Sequence, residues 1–261
     1  VKNSVRIAIA QINCTVGDLD GNFKKISDGI KTAESFGVDI LSFPELAITG
    51  YPPEDLLLKT KFIDDNMATL KKISGLVNKT AVVVGFVDRK DGDLFNAAAI
   101  IYRGRVAGIY RKCFLPNYGV FDEKRYFRPG SESAVFNIGG AVFGVNICED
   151  IWHDDGPCAK QAAQGAGLII NINSSPYYSG RIREREEIVR KQARRNGVAI
   201  SYSNLVGGQD ELVFDGQSMI VNGSGKIIGR AEAFREDMLI ADVEIDKGKA
   251  VMSKKGKPPL P

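Results

Sequence analysis

A cysteine that could act as a nucleophile stands at position 148, where the apolar run Ala141–Ile147 ends in Cys-Glu-Asp. A thiol nucleophile needs a base, and histidine is the usual one. The chain has a single histidine, His153, in the polar segment Trp-His-Asp-Asp-Gly. Cys148 is therefore either inert or served by other groups. Two such groups stand in matching places. Glu45 follows Leu-Ser-Phe-Pro and Lys112 follows Gly-Ile-Tyr-Arg, each at the end of a strand-like segment. A carboxylate can take the thiol proton and later return it to a leaving amine. An ammonium can stabilise both the thiolate and the oxyanion of a tetrahedral intermediate. Taken singly, each residue also has an ordinary reading: a solvated turn glutamate, a surface lysine beside Arg111, a buried apolar cysteine.

Strand ends aim side chains from a rigid frame into a shared cleft, so the elements carrying these residues matter. Runs rich in β-branched and small apolar residues predict strands at 5–10, 38–43, 81–86, 141–147, 168–172, 198–202 and 239–245. Hairpins are expected at 96–102 with 106–110, around Arg-Gly-Arg, and at 218–222 with 226–229, around Gly-Ser-Gly. Helical spacing marks 20–34 and 62–77, a proline-led segment 157–165, and a highly charged segment 182–195. Two halves emerge, each mixing strand–helix alternation with hairpins. That pattern implies sheets covered by helices on one face, not a simple doubly wound parallel sheet.

The bulk numbers fit one large α/β domain: 261 residues, 44% hydrophobic and 26% charged. With 35 basic and 32 acidic residues, the charge is too balanced to suggest a nucleic-acid or membrane surface. No apolar stretch approaches the roughly 18–20 residues that span a bilayer, and the first residues lack a signal-peptide core. The cysteines at 14, 113, 148 and 158 form no Cys-x-x-Cys and no zinc spacing. A reducing, cytoplasmic setting and no metal are therefore expected. The domain is expected to run over 1–246. The basic, proline-ended stretch 247–261 reads as a linker or disordered tail.

Together, Phe-Pro-Glu45, Tyr-Arg-Lys112 and Asn-Ile-Cys148-Glu-Asp resemble the nitrilase, or carbon–nitrogen hydrolase, superfamily. Longer strings narrow the likeness. Glu45-Leu-Ala-Ile-Thr-Gly-Tyr-Pro-Pro, Lys112-Cys-Phe-Leu-Pro-Asn-Tyr118 and Asn173-Ser-Ser-Pro-Tyr-Tyr-Ser-Gly-Arg181 resemble the glutaminase part of glutamine-dependent NAD+ synthetases. The resemblance implies a four-layer αββα sandwich, with Glu45 as general base, Lys112 as oxyanion stabiliser and Cys148 as nucleophile. It places Glu123 beside them as a second glutamate, and Tyr118, Glu149, Ser175 and Arg181 around a bound glutamine. A free amino acid would offer its ammonium to Glu149 and its carboxylate to Arg181; Arg181 could equally be one solvated charge of its arginine-rich helix. The implied partners are glutamine, an ammonia-accepting synthetase domain and further copies of the chain. An ATP-pyrophosphatase loop of the type Ser-Gly-Gly-x-Asp-Ser is missing. Val206-Gly-Gly-Gln-Asp-Glu211 lacks both serines, and Gly223-Ser-Gly-Lys-Ile-Ile-Gly229 has the spacing of a turn. ATP and Mg2+ are thus expected only in a synthetase domain outside this chain, and no cofactor within it. Two rivals stay open: a free-standing hydrolase of another amide or carbamoyl substrate, and a catalytically inactive regulatory or scaffold domain.

Overall fold

The computed structural model describes residues 4–245. The tail at 247–261 lies outside the described residues. Among those described, the strands form two six-stranded sheets and one two-stranded ribbon. In the first sheet β1 (Ser4–Gln11), β2 (Ile40–Ser42) and β3 (Ala81–Lys90) run parallel. The antiparallel strands β4 (Asp93–Tyr102), β5 (Arg105–Arg111) and β14 (Asp237–Glu244) complete the order 14-1-2-3-4-5. The crossovers are α1 (Leu19–Ser35) and α2 (Thr60–Leu76).

The second sheet repeats this plan. Its parallel strands are β7 (Ala141–Ile147), β8 (Leu168–Asn173) and β9 (Ala199–Asn204), joined by α3 (Pro157–Ala163) and α4 (Arg181–Asn196). Around them lie β6 (Val135–Ile138), β12 (Met219–Val221) and β13 (Ile227–Arg230), all antiparallel to their neighbours. The ribbon is β10 (Val206–Gln209) with β11 (Leu212–Asp215).

Side-chain alternation explains the layering. A strand sends successive residues to opposite faces. In β1, Ile7 and Ile9 enter the core between the sheets, while Ala8 and Ala10 pack under α1 and α2 with Ile26, Ile30 and Ile73. In β8, Leu168, Ile170 and Ile172 face the first sheet, and Ile169 joins Val189 and Ala193 of α4 on the outer side. Each sheet is therefore apolar on both faces, as parallel strands covered by helices require. The result is the αββα sandwich that the resemblance implies. Helix α1 starts where Asp18 accepts from the Gly21 N–H at 2.9 Å. Helix α4 ends on Gly197, whose φ of 64° suits a left-handed cap.

Boundaries differ where local pattern was weak. Strand β2 is three residues long, not six, because Val38 N–H is taken by Ala33 O at the end of α1 and Pro44 stops the far end. Strand β10 carried little strand signal, since Val-Gly-Gly-Gln offers a single β-branched residue, and its partner β11 was a run of only four residues. The four-residue strand β6 was also not anticipated.

Candidate active site

Glu45 leaves the C-terminal end of β2 on a turn that lies directly on β3. A Cβ at Gly85 would sit 2.3 Å from Leu46 N and 2.6 Å from Pro44 O, so only glycine lets the turn approach this closely. Lys112 is the residue after β5, and Cys148 the residue after β7. All three are buried, Glu45 and Lys112 to 1% exposure. Glu45 and Lys112 are thus not the solvated charges that each could have been alone, while burial by itself does not separate Cys148 from an ordinary buried cysteine.

Lys112 Nζ donates to Glu45 Oε1 and to Glu123 Oε1, each at 2.7 Å. Asn96 Nδ2, from β4, donates to Glu45 Oε1 at 2.7 Å and to Glu123 Oε2 at 3.4 Å. Tyr51 OH donates to Glu123 Oε1 at 3.1 Å. The other Glu45 oxygen, Oε2, accepts the Ser174 N–H at 2.8 Å, from the loop after β8. Cys148 has φ of 44°, a left-handed conformation uncommon for a residue with a Cβ. Asp150 holds this turn closed: it accepts from the Ile147, Cys113 and Phe114 N–H groups at 2.9–3.0 Å and from Tyr110 OH at 2.7 Å. It thereby ties the cysteine turn to the loop that follows Lys112.

The charges interact strongly in this dry setting. Burial on its own would lower the Lys112 pKa, but Glu123 and Glu45 outweigh it and hold the ammonium well above its ordinary value. Burial pushes Glu123 up to about 7, opposed by Lys112 and reinforced by Glu45. Burial, then Glu45, pushes the Cys148 thiol well up, with Lys112 pulling the other way. Burial and Glu45 thus favour the thiol form of Cys148 over the thiolate.

Around this floor stand the residues named for substrate. Tyr118 OH donates to Glu149 Oε2 at 2.8 Å, and Ser175 is buried. Arg181 stacks on Trp152, with its guanidinium carbon 4.4 Å from the ring centroid, and pairs with Glu184 at 2.8 Å. Its Nε is buried and has no hydrogen-bond partner, so Arg181 is not a freely solvated charge. His153 lies flat on Phe114 with centroids 3.7 Å apart, and its Nε2 is 3.9 Å from Glu149. A cavity of about 50 Å3 reaches Glu123 and Tyr51 from the side of Leu57 and Phe121. Another, about 300 Å3, lies apart, between Lys90, Phe95, Arg111 and Glu132, and touches none of the residues named for the chemistry. Among the described residues, no group of three or more His, Cys, Asp or Glu side chains could hold a metal ion. No helix there is long and apolar enough to cross a membrane.

A model of the carbon–nitrogen hydrolase family matches residues 6–251. The chain belongs to that family. It is 45% identical over 246 residues to a glutamine-dependent NAD(+) synthetase of Thermotoga maritima, covering 93% of this chain and 42% of that protein. The solved glutamine-dependent NAD+ synthetase of Acinetobacter baumannii superposes with a TM-score of 0.87 at 36% identity, over 99% of this chain and 49% of the other. A nitrilase-superfamily amidase of Nesterenkonia superposes with a TM-score of 0.82 at 25% identity, over 94% of this chain and 92% of its own. The hydrolase chain thus spans less than half the length of the synthetases it matches.

Within this hydrolase fold, Lys112 touches both Glu45 and Glu123, and the charges of all three, with that of Glu149, act on Cys148; Tyr118 touches Glu149, and Ser175 follows Ser174, which binds Glu45. Sequence reasoning missed Asn96, Tyr51, Ser174 and Asp150. Asn96 had a readable signal, a polar residue opening the apolar run Asn-Ala-Ala-Ala. Asp150 and Tyr51 stood inside quoted motifs without a role.

Proposed function

We propose that this chain hydrolyses the side-chain amide of glutamine to glutamate and ammonia through a thioester on Cys148. One observation carries the reading: a buried Lys112 bridges Glu45 and Glu123 and bears on Cys148, in a chain whose relatives are named for their dependence on glutamine. In this mechanism Cys148 Sγ attacks the amide carbon while Glu45 takes the thiol proton. Lys112 Nζ, together with backbone N–H groups of the cysteine turn, stabilises the oxyanion. Glu45 returns the proton to the departing nitrogen, and ammonia leaves. Glu45 then deprotonates a water, which attacks the thioester; the proton goes back to sulfur and glutamate is released.

Glu149 and Tyr118 are assigned to the substrate ammonium, and Ser175 and Arg181 to its carboxylate. The unpartnered Arg181 Nε supports the latter, since a buried donor without an acceptor is costly until one arrives. Ammonia would serve amidation of deamido-NAD+ by a synthetase domain, and ATP and Mg2+ belong there in this reading. Four free cysteines suit a reducing cytoplasm. Self-association through a face away from the site completes the proposal.

Ammonia release from glutamine, asparagine, simple aliphatic amides and carbamoyl amines tests the substrate. Preference for glutamine over every other amide is expected. Faster turnover of a simple amide would favour a free-standing amidase, and no turnover of any would favour an inactive domain.

A further inference from the structure

Glu45 is clamped from both sheets. Lys112 and Asn96 hold Oε1 from the β4–β5 side, and the Ser174 N–H holds Oε2 from the end of β8. Ser174 Oγ also donates to the Glu45 carbonyl at 3.0 Å. The orientation of the carboxylate therefore depends on where the segment 174–176 lies. That segment has no sheet partners of its own and is held by Asn204 and, through three hydrogen bonds, by Arg185.

Arg185 is fully buried on the inner face of α4. Its Nε donates to Ser175 Oγ at 3.1 Å, and its Nη2 to the carbonyls of Ser175 and Pro176 at 2.7 and 2.8 Å. Its Nη1 pairs with Asp215 Oδ1 at 2.6 Å, and Asp215 Oδ2 accepts from Gln217 Nε2 at 2.8 Å. Asn204 Oδ1 accepts the Ser175 N–H at 2.9 Å. A buried guanidinium is costly unless its N–H groups are matched, and here they are matched to a single loop and one carboxylate. Only the planar five-donor fork of arginine can grip an ion-pair partner, a hydroxyl and two carbonyls at once.

We propose that Arg185, locked onto Asp215, is a positioning residue that fixes the 174–176 segment and through Ser174 sets Glu45 toward Cys148. The proposal rests on Glu45 being the base that serves Cys148, and not on the identity of the amide. Arg185 touches neither reacting atom. Its effect passes through Ser174, whose N–H holds the Glu45 carboxylate and whose Oγ holds the Glu45 carbonyl, and small misplacements of a base are costly in rate.

The test is the Arg185→Lys variant, which keeps a charge for Asp215 and loses the fork. Alkylation of Cys148 by iodoacetamide, followed by intact-mass spectrometry, reads base assistance without any substrate. Thermal unfolding reports the folded fraction. Alkylation slowed at least ~10-fold in folded protein is expected, with a matching fall in kcat for the amide. Exposed Arg183→Ala is the control and should alkylate as the parent does. A folded Arg185→Lys protein of lower Tm but unchanged alkylation rate would overturn the proposal and leave Arg185 a purely structural residue. Should that variant not fold, the apolar pair Arg185→Met with Asp215→Leu takes its place, since buried ion pairs often tolerate joint replacement; slow alkylation there supports the proposal and parental alkylation refutes it. A parent chain that alkylates at Cys148 but leaves glutamine intact would overturn the glutaminase reading while the Arg185 comparison still decides this one.

Discussion

The floor and the mouth of the site handle charge in different ways. At the floor, Glu45, Lys112 and Glu123 are sealed from solvent and answer one another within 2.7 Å. At the mouth, Tyr118 is exposed, Glu149 is shared between Tyr118 and the neighbourhood of His153, and Arg181 has Glu184 as its partner. Buried charges have no water to rearrange, so their geometry is set before substrate arrives and acts on the transition state. Charges nearer solvent adapt to a ligand and act mainly on its binding. The difference teaches where to expect losses in kcat and where losses in affinity.

Lys112→Met should break this contrast most severely. It removes the one cation that touches both carboxyls among the described residues, and breaking a buried ion pair costs about 3–5 kcal/mol, lessened here as Glu123 takes up a proton. Because the oxyanion forms only in the transition state, acylation should fall much more than glutamine affinity measured on a Cys148→Ser background. Loss of binding with no separate loss of rate would recast Lys112 as a substrate anchor. Glu45→Gln comes next: it changes volume little but removes the proton acceptor, and steady-state ammonia release should drop at least ~10²-fold.

Glu123→Gln should cost less rate and instead sharpen the electrostatic account. Burial lifts the Glu123 pKa to about 7, from a usual value of 4.5. The raised value favours the protonated carboxyl in the folded chain. Its stabilising contribution is complete below pH 4.5 and is lost as pH rises through 7. The variant has no such titration, so its Tm relative to the parent should climb between those pH values. A parallel pair of Tm–pH curves would show that Glu123 does not titrate in this window.

Smallest are the mouth substitutions. Tyr118→Phe should raise KM a few-fold with little change in kcat, because its hydroxyl orients Glu149 and not the reacting atoms. His153→Ala should leave turnover within a few-fold of the parent. A dead His153→Ala protein that still binds glutamine would replace the carboxylate mechanism with a cysteine–histidine pair.

Much of the frame was legible because its signals are local and strong. The β-branched runs at 81–86 and 141–147 found strands, and the apolar spacing of Ile26, Ile30 and Ala33 found α1. Glu45, Lys112 and Cys148 were legible as strand-end residues with longer motif strings around them. What stayed hidden is what tertiary packing alone creates. Arg185 lies in a run of charges, Arg-Ile-Arg-Glu-Arg-Glu-Glu, and nothing in that run marks which one turns inward. Ser174 acts through a backbone N–H, which carries no side-chain signature. Strand β10, Val-Gly-Gly-Gln, is half glycine and is held by its pairing with β11, which its own propensity does not announce.

The central claim is that Cys148 carries the acyl group while Glu45 and Lys112 do the work that histidine does in other thiol enzymes. Acid quenching of the protein during turnover of glutamine, with intact-mass and peptide-level mass spectrometry, tests it most directly. The account expects a γ-glutamyl adduct on Cys148, absent in Cys148→Ala, which should also release no ammonia, and retained in His153→Ala. An adduct on Cys113 or Cys158, or undiminished ammonia release from Cys148→Ala, would contradict it.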